Sequence, residues 1–214
     1  RVQTGATLEL DDVRLGGNES APLNVSERLQ LLGSGVSGLG ALRNIEGNNS
    51  WSGVIELLST STISVDQTID TLTLASNISG ATGSGLVKRG AGVLRLSGNN
   101  TYNGSTTIAA GALDVSGNTS AGPMIIANGI LQGTGFVGPT TLQANGKLSP
   151  GGTAVGTINL LGLSARGGQI IVSVGDEDVV RLIDGDPNRS RKERAGCRSA
   201  VASETGRLAA GQCR

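Results

Sequence analysis

The 214-residue chain contains no histidine. This removes the commonest general base, the commonest metal ligand and the base of a Ser-His-Asp triad, which counts against zinc hydrolases, Ser-His enzymes and most redox metal sites. Aromatic residues number three, Trp51, Tyr102 and Phe136. With so few large rings, a core has to be built from Leu, Ile, Val and Ala packed in a narrow, repetitive way. No run approaches ~18 uninterrupted apolar residues, so no helical membrane span is expected. Net charge is also missing, with 17 Lys plus Arg against 17 Asp plus Glu. No overall field therefore recruits nucleic acid or an anionic membrane. Cysteine is absent from the first 175 residues, and Cys197 and Cys213 both lie near the C-terminus. That usage leaves their disulfide state and the compartment open. The chain begins at Arg1 with neither a methionine nor a signal-peptide core, so this end reads as a cut edge.

Glycine is abundant, at 35 residues, but only 4 of them follow residue 175. Charge is distributed the other way: residues 1–175 hold 19 charged side chains and residues 176–214 hold 15. Two compositional regimes meet near Asp176. The expected organisation is a glycine-rich segment over 1–183 and a charged tail over 184–214, too polar to pack and expected to be disordered.

Within the glycine-rich segment the marks Gly92-Val93-Leu94, Gly111-Ala112-Leu113, Gly129-Ile130-Leu131 and Gly146-Lys147-Leu148 recur at intervals of 19, 18 and 17 residues. That period is too short for a helical hairpin and suits one coil of a β-solenoid. A longer repeat is superposed: GNNSWSG at 47–53 returns as GNNTYNG at 98–104. Between the glycines apolar residues alternate, as at Leu72 and Leu74, Leu94 and Leu96, and Leu113 and Val115. Period two marks strands buried on one face, with Gly and Asn supplying the tight corners.

A β-sandwich would show the same alternation, but its two sheets stand about 10 Å apart and need large residues to fill the gap. A solenoid stacks like on like at about 4.8 Å per coil, and a thin aliphatic core suffices. The expected fold is therefore all-β: a single-stranded right-handed parallel β-helix, a fragment of a longer solenoid, with a poorly structured C-terminal tail. About nine or ten coils are expected at that rise, with Leu94, Leu113, Leu131 and Leu148 in one internal column.

GLVKRGAGVLRLSGNNTYNGSTTIAAGALDVSG, residues 85–117, carries a Leu-x-Lys lead at Leu86 to Lys88 and Gly90-Ala91-Gly92. Leu94 to Gly98, Asn100 to Tyr102 and the closing Ala110 to Leu113 follow. This stretch resembles the autotransporter-associated β-strand repeat of bacterial passenger regions, and residues 40–57, 72–80 and 129–152 resemble flanking coils. The resemblance implies a passenger segment at the bacterial cell surface or outer membrane, or secreted. It also implies a parent polypeptide ending in a membrane β-barrel.

Candidate sites are few. Trp51 and Tyr102 occupy matching places in the longer repeat, and exposed rings there would stack on sugars; the alternative is that each caps the aliphatic stack. Asn48-Asn49 and Asn99-Asn100 suggest an amide ladder along the stack. Asp11 and Asp12 are adjacent and so face opposite sides of a strand. Asp176-Glu177-Asp178 and Asp184-Gly185-Asp186 admit a calcium clip but lack the β-roll spacing. The basic run from Arg189 to Arg194 has no aromatic companion, which counts against nucleic acid. No catalytic residue, metal ligand or cofactor site is identified. The leading expectation is a non-enzymatic structural or adhesive stalk that contacts host-surface or matrix glycans and proteins. A polysaccharide lyase or glycosidase on the same scaffold is the alternative.

Overall fold

The computed structural model describes residues 1–11, 13–14, 20–119, 121–152, 156–170 and 179–182. Parallel strands wind into a β-solenoid whose described residues contain one 3-10 turn, Val36–Gly38, and no α-helix. Three faces form the coil. The first face stacks Leu8–Leu10, Leu42–Asn44, Ser61–Val65, Leu86–Arg89, Thr106–Ile108 and Met124–Ile126, then the starts of Thr140–Pro150 and Leu163–Ile170. The second stacks Asn24–Val25, Ser50–Trp51, Thr71–Leu74, Val93–Leu96, Ala112–Val115 and Ile130–Gly133 on the ends of those same two long strands. On the third lie Leu29–Leu31, Ile55–Leu57 and Ile78–Gly80, with Asn118–Thr119, Phe136–Val137, Thr157–Leu160 and Val179–Leu182 further along.

The Gly-x-Leu interval is one coil. Val93 lies beside Ala112, Ala112 beside Ile130 and Ile130 beside Lys147, reproducing the spacing of 19, 18 and 17 residues. Leu94, Leu113, Leu131 and Leu148 stack in register as an inward column, extended by Leu72 on one side and Ile170 on the other. The four marked leucines are fully buried. Like side chains thus fill the interior one per coil, each contributing roughly 1.5–3 kcal/mol of burial.

The glycines of the marks are needed because the preceding coil passes too close for a Cβ. A Cβ on Gly92 would lie 2.3 Å from the Gln67 carbonyl oxygen, and one on Gly111 would lie 2.4 Å from that of Gly90.

Two expectations need correction. Among the described residues the first face has eight levels, named above, against the nine or ten coils expected from the sequence. Upstream coils are longer: Asn24 lies beside Ser50, 26 residues on, and Thr71 beside Val93, 22 on. The second correction follows from the first. Two coils on from Trp51 is Leu96, not Tyr102, because Trp51 pairs with Leu74 and Leu74 with Leu96. The 51-residue echo is not a whole number of coils, so Trp51 and Tyr102 are not structurally equivalent. Residues 184–214, with Cys197, Cys213, the basic run and Asp184 to Asp186, lie outside the described residues, as do Asp12 and Asp176 to Asp178.

Candidate functional site

Neither of the two rings singled out in the sequence reaches the surface. Trp51 is 4% exposed and stands in the second-face inward row between Val25 and Leu74, with its indole Nε1 donating to the Glu27 carbonyl at 2.8 Å. Tyr102 is 3% exposed and covers Gly80 on the third face, where a Cβ on that glycine would lie 2.9 Å from the Tyr102 Cβ. Its hydroxyl shares a 2.7 Å hydrogen bond with the Thr106 Oγ1. Burial pushes the phenol up to about 12, against a smaller lowering from Thr106. Rings covered in this way have no free face for a sugar, so as surface contacts both are corrected. Each completes the interior where the aliphatic stack lacks volume.

The third aromatic is the exposed one. Phe136 points outward at 49% exposure, while its neighbour Val137 fills the interior. Around it runs a row of amides at one outward position. Asn99 pairs with Asn118, Asn118 with Phe136 and Phe136 with Asn159, and Asn77 accepts the Asn99 N–H on its Oδ1 at 2.8 Å. Sequence reasoning passed over Phe136 because it stands outside the repeated motif. The available signal was the parity of Gly135-Phe136-Val137-Gly138, which puts either Phe136 or Val137 outside.

The asparagine pairs brace neighbouring coils, but through main-chain groups rather than an amide-to-amide ladder. Asn48 Oδ1 accepts the Thr71 N–H, Asn49 Oδ1 the Leu23 N–H and Asn100 Oδ1 the Ile78 N–H, at 2.9, 2.7 and 2.9 Å. Each thereby satisfies a corner donor that the strand ladder leaves open.

Five carboxylates among the described residues, Glu9, Glu56, Asp66, Asp70 and Asp114, are held by cations or amides. Arg43 bridges Asp66 at 2.7 Å and Glu9 at 2.9 Å, which raises its own affinity for the proton, chiefly through Asp66. Ser64 Oγ donates to the other Asp66 oxygen at 2.7 Å. Glu56 receives Gln30 and Arg28, and those bonds lower its pKa. Asp114 pairs with Arg95 at 3.0 Å on the second face, and Asp70 Oδ2 accepts the Gly47 N–H. Asp11 is exposed. An open cavity of about 440 Å³ lies beside Asp66, lined also by Leu39, Ser64, Arg89 and Ala110. Under its rim Lys88 is fully buried, its ammonium donating to the carbonyls of Arg89, Gly90 and Ala110 at 2.6, 2.9 and 3.3 Å. Desolvation brings this lysine down to about 8, with Asp66 pulling the other way. Among the described residues no three His, Cys, Asp or Glu side chains converge as metal ligands, and no helix is long and apolar enough to cross a membrane.

Residues 86–115 match the passenger-associated-transport-repeat family. These are the coils bearing Lys88, Leu94, Tyr102 and Leu113. The chain is also 39% identical over 94 residues to an extracellular serine protease of Serratia marcescens. That alignment takes in 43% of this chain and 9% of the relative, so the chain spans a small part of the protein it matches. No solved structure matches. Residues 86–115 thus carry a passenger-associated-transport repeat set within a parallel β-solenoid, which is the make-up of a surface-displayed or secreted autotransporter passenger segment.

Proposed function

We propose that this segment is a structural and adhesive stalk, which sets distal parts of its parent polypeptide away from the cell and makes weak, repeated contacts with host-surface or matrix glycans and proteins. The observation that carries the reading is the unbroken inward column from Leu72 to Ile170. One aliphatic position per coil is satisfied by the next coil, so length is gained by repetition, and stiffness comes from the hydrogen-bonded ladder. The outward positions repeat as well, which suits multivalent contact better than one deep pocket.

The stalk reading includes the absence of turnover by this segment itself. In support, Glu9, Glu56, Asp66 and Asp114 are each engaged by a cation, and Asp66 in the cavity is held at both oxygens. A glycosidase acid or base needs a carboxyl free to exchange its proton with substrate or water. Any proteolytic activity of the parent, on this reading, belongs to residues beyond the solenoid, and a membrane barrel at the parent's C-terminus completes the assembly.

Small-angle scattering on the purified chain, together with its retention on matrix-coated surfaces and a hydrolysis screen against pectins, glucans and glycosaminoglycans, tests the reading. A rod-like scattering profile, density-dependent retention and no cleavage are expected. Cleavage that disappears in Asp66→Asn would replace the stalk by an enzyme.

A further inference from the structure

From Asn99 to Asn159 the third-face row carries no charged residue; Glu56 lies on this face upstream, and Arg181 stands in register beside Asn159 at the far end of the row. Residues 96–113 and 115–146 contain no Asp, Glu, Lys or Arg, and neither do residues 157–165. The charged side chains of these coils stand elsewhere: Arg95 and Asp114 pair with each other on the second face. What the third face offers instead is repetition. Asn99, Asn118, Phe136 and Asn159 follow one another at one outward position. Ser97 and Ser116 form a parallel row two residues away, joined by a 3.2 Å hydrogen bond between their hydroxyls. Asn99, Ser97 and Ser116 are exposed, and Phe136 is the only aromatic residue of the chain that is not buried.

We propose that Phe136 and the amide and hydroxyl rows beside it form a binding strip for a neutral polysaccharide laid along the rod. The proposal deepens the adhesive half of the stalk reading and rests on it. Three features select this ligand. A pyranose ring presents an apolar face of C–H groups that packs on an aromatic ring, and Phe136 supplies that ring without a competing polar tip. Sugar hydroxyls both donate and accept, and Asn and Ser side chains do the same, so a vicinal diol can be bonded at either atom. Successive coils repeat at about 4.8 Å, close to the advance of one sugar unit in an extended glycan, so successive units meet Asn99, Asn118, the Phe136 ring and Asn159 in turn.

The absence of charge argues against a polyanion. Between Asn99 and Asn159 a uronate or sulfated chain would find no cation to offset the desolvation of its acid groups, the first one in the row being Arg181 beyond Asn159. It argues equally against a charged peptide. A neutral chain loses only hydroxyl hydration, for which the exposed Asn99, Ser97 and Ser116 side chains offer replacement hydrogen bonds. Single contacts of this kind are weak, and a polymer that spans several coils gains from their number.

Pull-down of the purified chain on cellulose, chitin, insoluble β-1,3-glucan and starch granules tests the strip, with polygalacturonate and heparin beads in parallel. Retention on at least one neutral polymer is expected. Phe136→Ala should weaken that retention by about tenfold or more and leave the melting temperature unchanged, because the ring lies outside the core. Phe136→Trp should restore it, and its added indole should shift to shorter emission wavelength when the polymer is present. No retention on any neutral polymer, retention only on the acidic beads, or retention untouched by Phe136→Ala would each overturn the strip. Collagen- and fibronectin-coated surfaces separate the two levels of the argument. If the chain and Phe136→Ala adhere there equally while neutral polymers fail, the adhesive reading stands and the strip falls. If nothing retains the chain, the adhesive reading falls with it.

Discussion

Lys88 stacks in register on Ile108 within an inward row that otherwise reads Leu42, Ile63, Ile126 and Leu142. An ammonium thus lies among aliphatic side chains, and it is tolerated because its stem fills the row while its head reaches three corner carbonyls. The carbonyl bonds do not repay the whole loss of hydration, so the folded chain holds the proton less tightly than the unfolded one.

A pH dependence follows. The folded value is about 8 against 10.5 for a solvated lysine in the unfolded chain, so between these values the unfolded state binds the extra proton and stability rises with pH. The stability gained is fully present above 10.5 and lost as pH falls through 8, on the order of 3 kcal/mol at most. Urea unfolding of wild type and Lys88→Met between pH 7 and pH 10 checks this. Wild type should gain stability across the range and the variant should stay flat relative to it. An identical slope in both would show that other groups carry the effect.

Tyr102 works in the opposite direction at higher pH. It is the single tyrosine of the chain, so tyrosinate absorbance near 295 nm reports on it alone. The expected midpoint is about 12 rather than 10. Because the folded value is raised, the associated stability is fully present below pH 10 and is lost as pH rises toward 12. A midpoint near 10 in the folded protein would mean that the hydroxyl is reached by water and that the third-face interior is open there.

Gly92 and Gly83 make a paired test of why glycine is so frequent. At Gly83 the backbone is left-handed, with φ of 79°, and a Cβ would meet nothing within 4 Å. Gly83→Ala should cost about 1–2 kcal/mol, the strain of an L-residue in that region. At Gly92 the obstacle is the main chain of the previous coil, with Gln67 O at 2.3 Å and Asp70 O at 2.8 Å. Gly92→Ala should cost more than about 3 kcal/mol, because two coils have to separate. Equal losses in thermal unfolding would argue that conformation, not coil spacing, sets the glycine content.

The internal column was legible in the sequence because Gly-x-Leu combines two independent constraints, a corner without a Cβ and an inward residue two places later. The coils that carry it vary in length by only one residue per step, so spacing and register coincide. Upstream, coil length changes more, and sequence similarity loses its link to position; that is how Trp51 and Tyr102 look equivalent yet lie on different faces. Lys88 was quoted within the repeat, but its inward position had only the parity of Leu86-x-Lys88 as a signal, and a lysine is ordinarily read as solvent-facing. For Phe136 alternation was the only cue. A two-residue strand flanked by glycines does not say which residue faces in, and only the pairing of Asn118 with Phe136 settles it.

Asn49 and Asn48 are neighbours with different expected worth. Asn49 is buried and makes bonds to the Leu23 N–H, the Asn44 Oδ1 and the Glu46 carbonyl at 2.7, 2.7 and 2.9 Å. Asn49→Ala would leave these groups without a partner beneath the surface, a loss of about 1–3 kcal/mol for each that stays dry. Asn48 is exposed and holds only the Thr71 N–H, which water can serve in its place. Asn48→Ala should therefore cost less than about 1 kcal/mol. Trp51, two residues on from Asn49 and the single tryptophan of the chain, reports on the opening of this corner. In Asn49→Ala its emission should move to longer wavelength, and quenching by acrylamide should increase at urea concentrations where wild type and Asn48→Ala remain unchanged. Equal behaviour of the two variants would mean that the corner is held by the strand ladder alone, and that the buried amide contributes nothing to keeping adjacent coils in register.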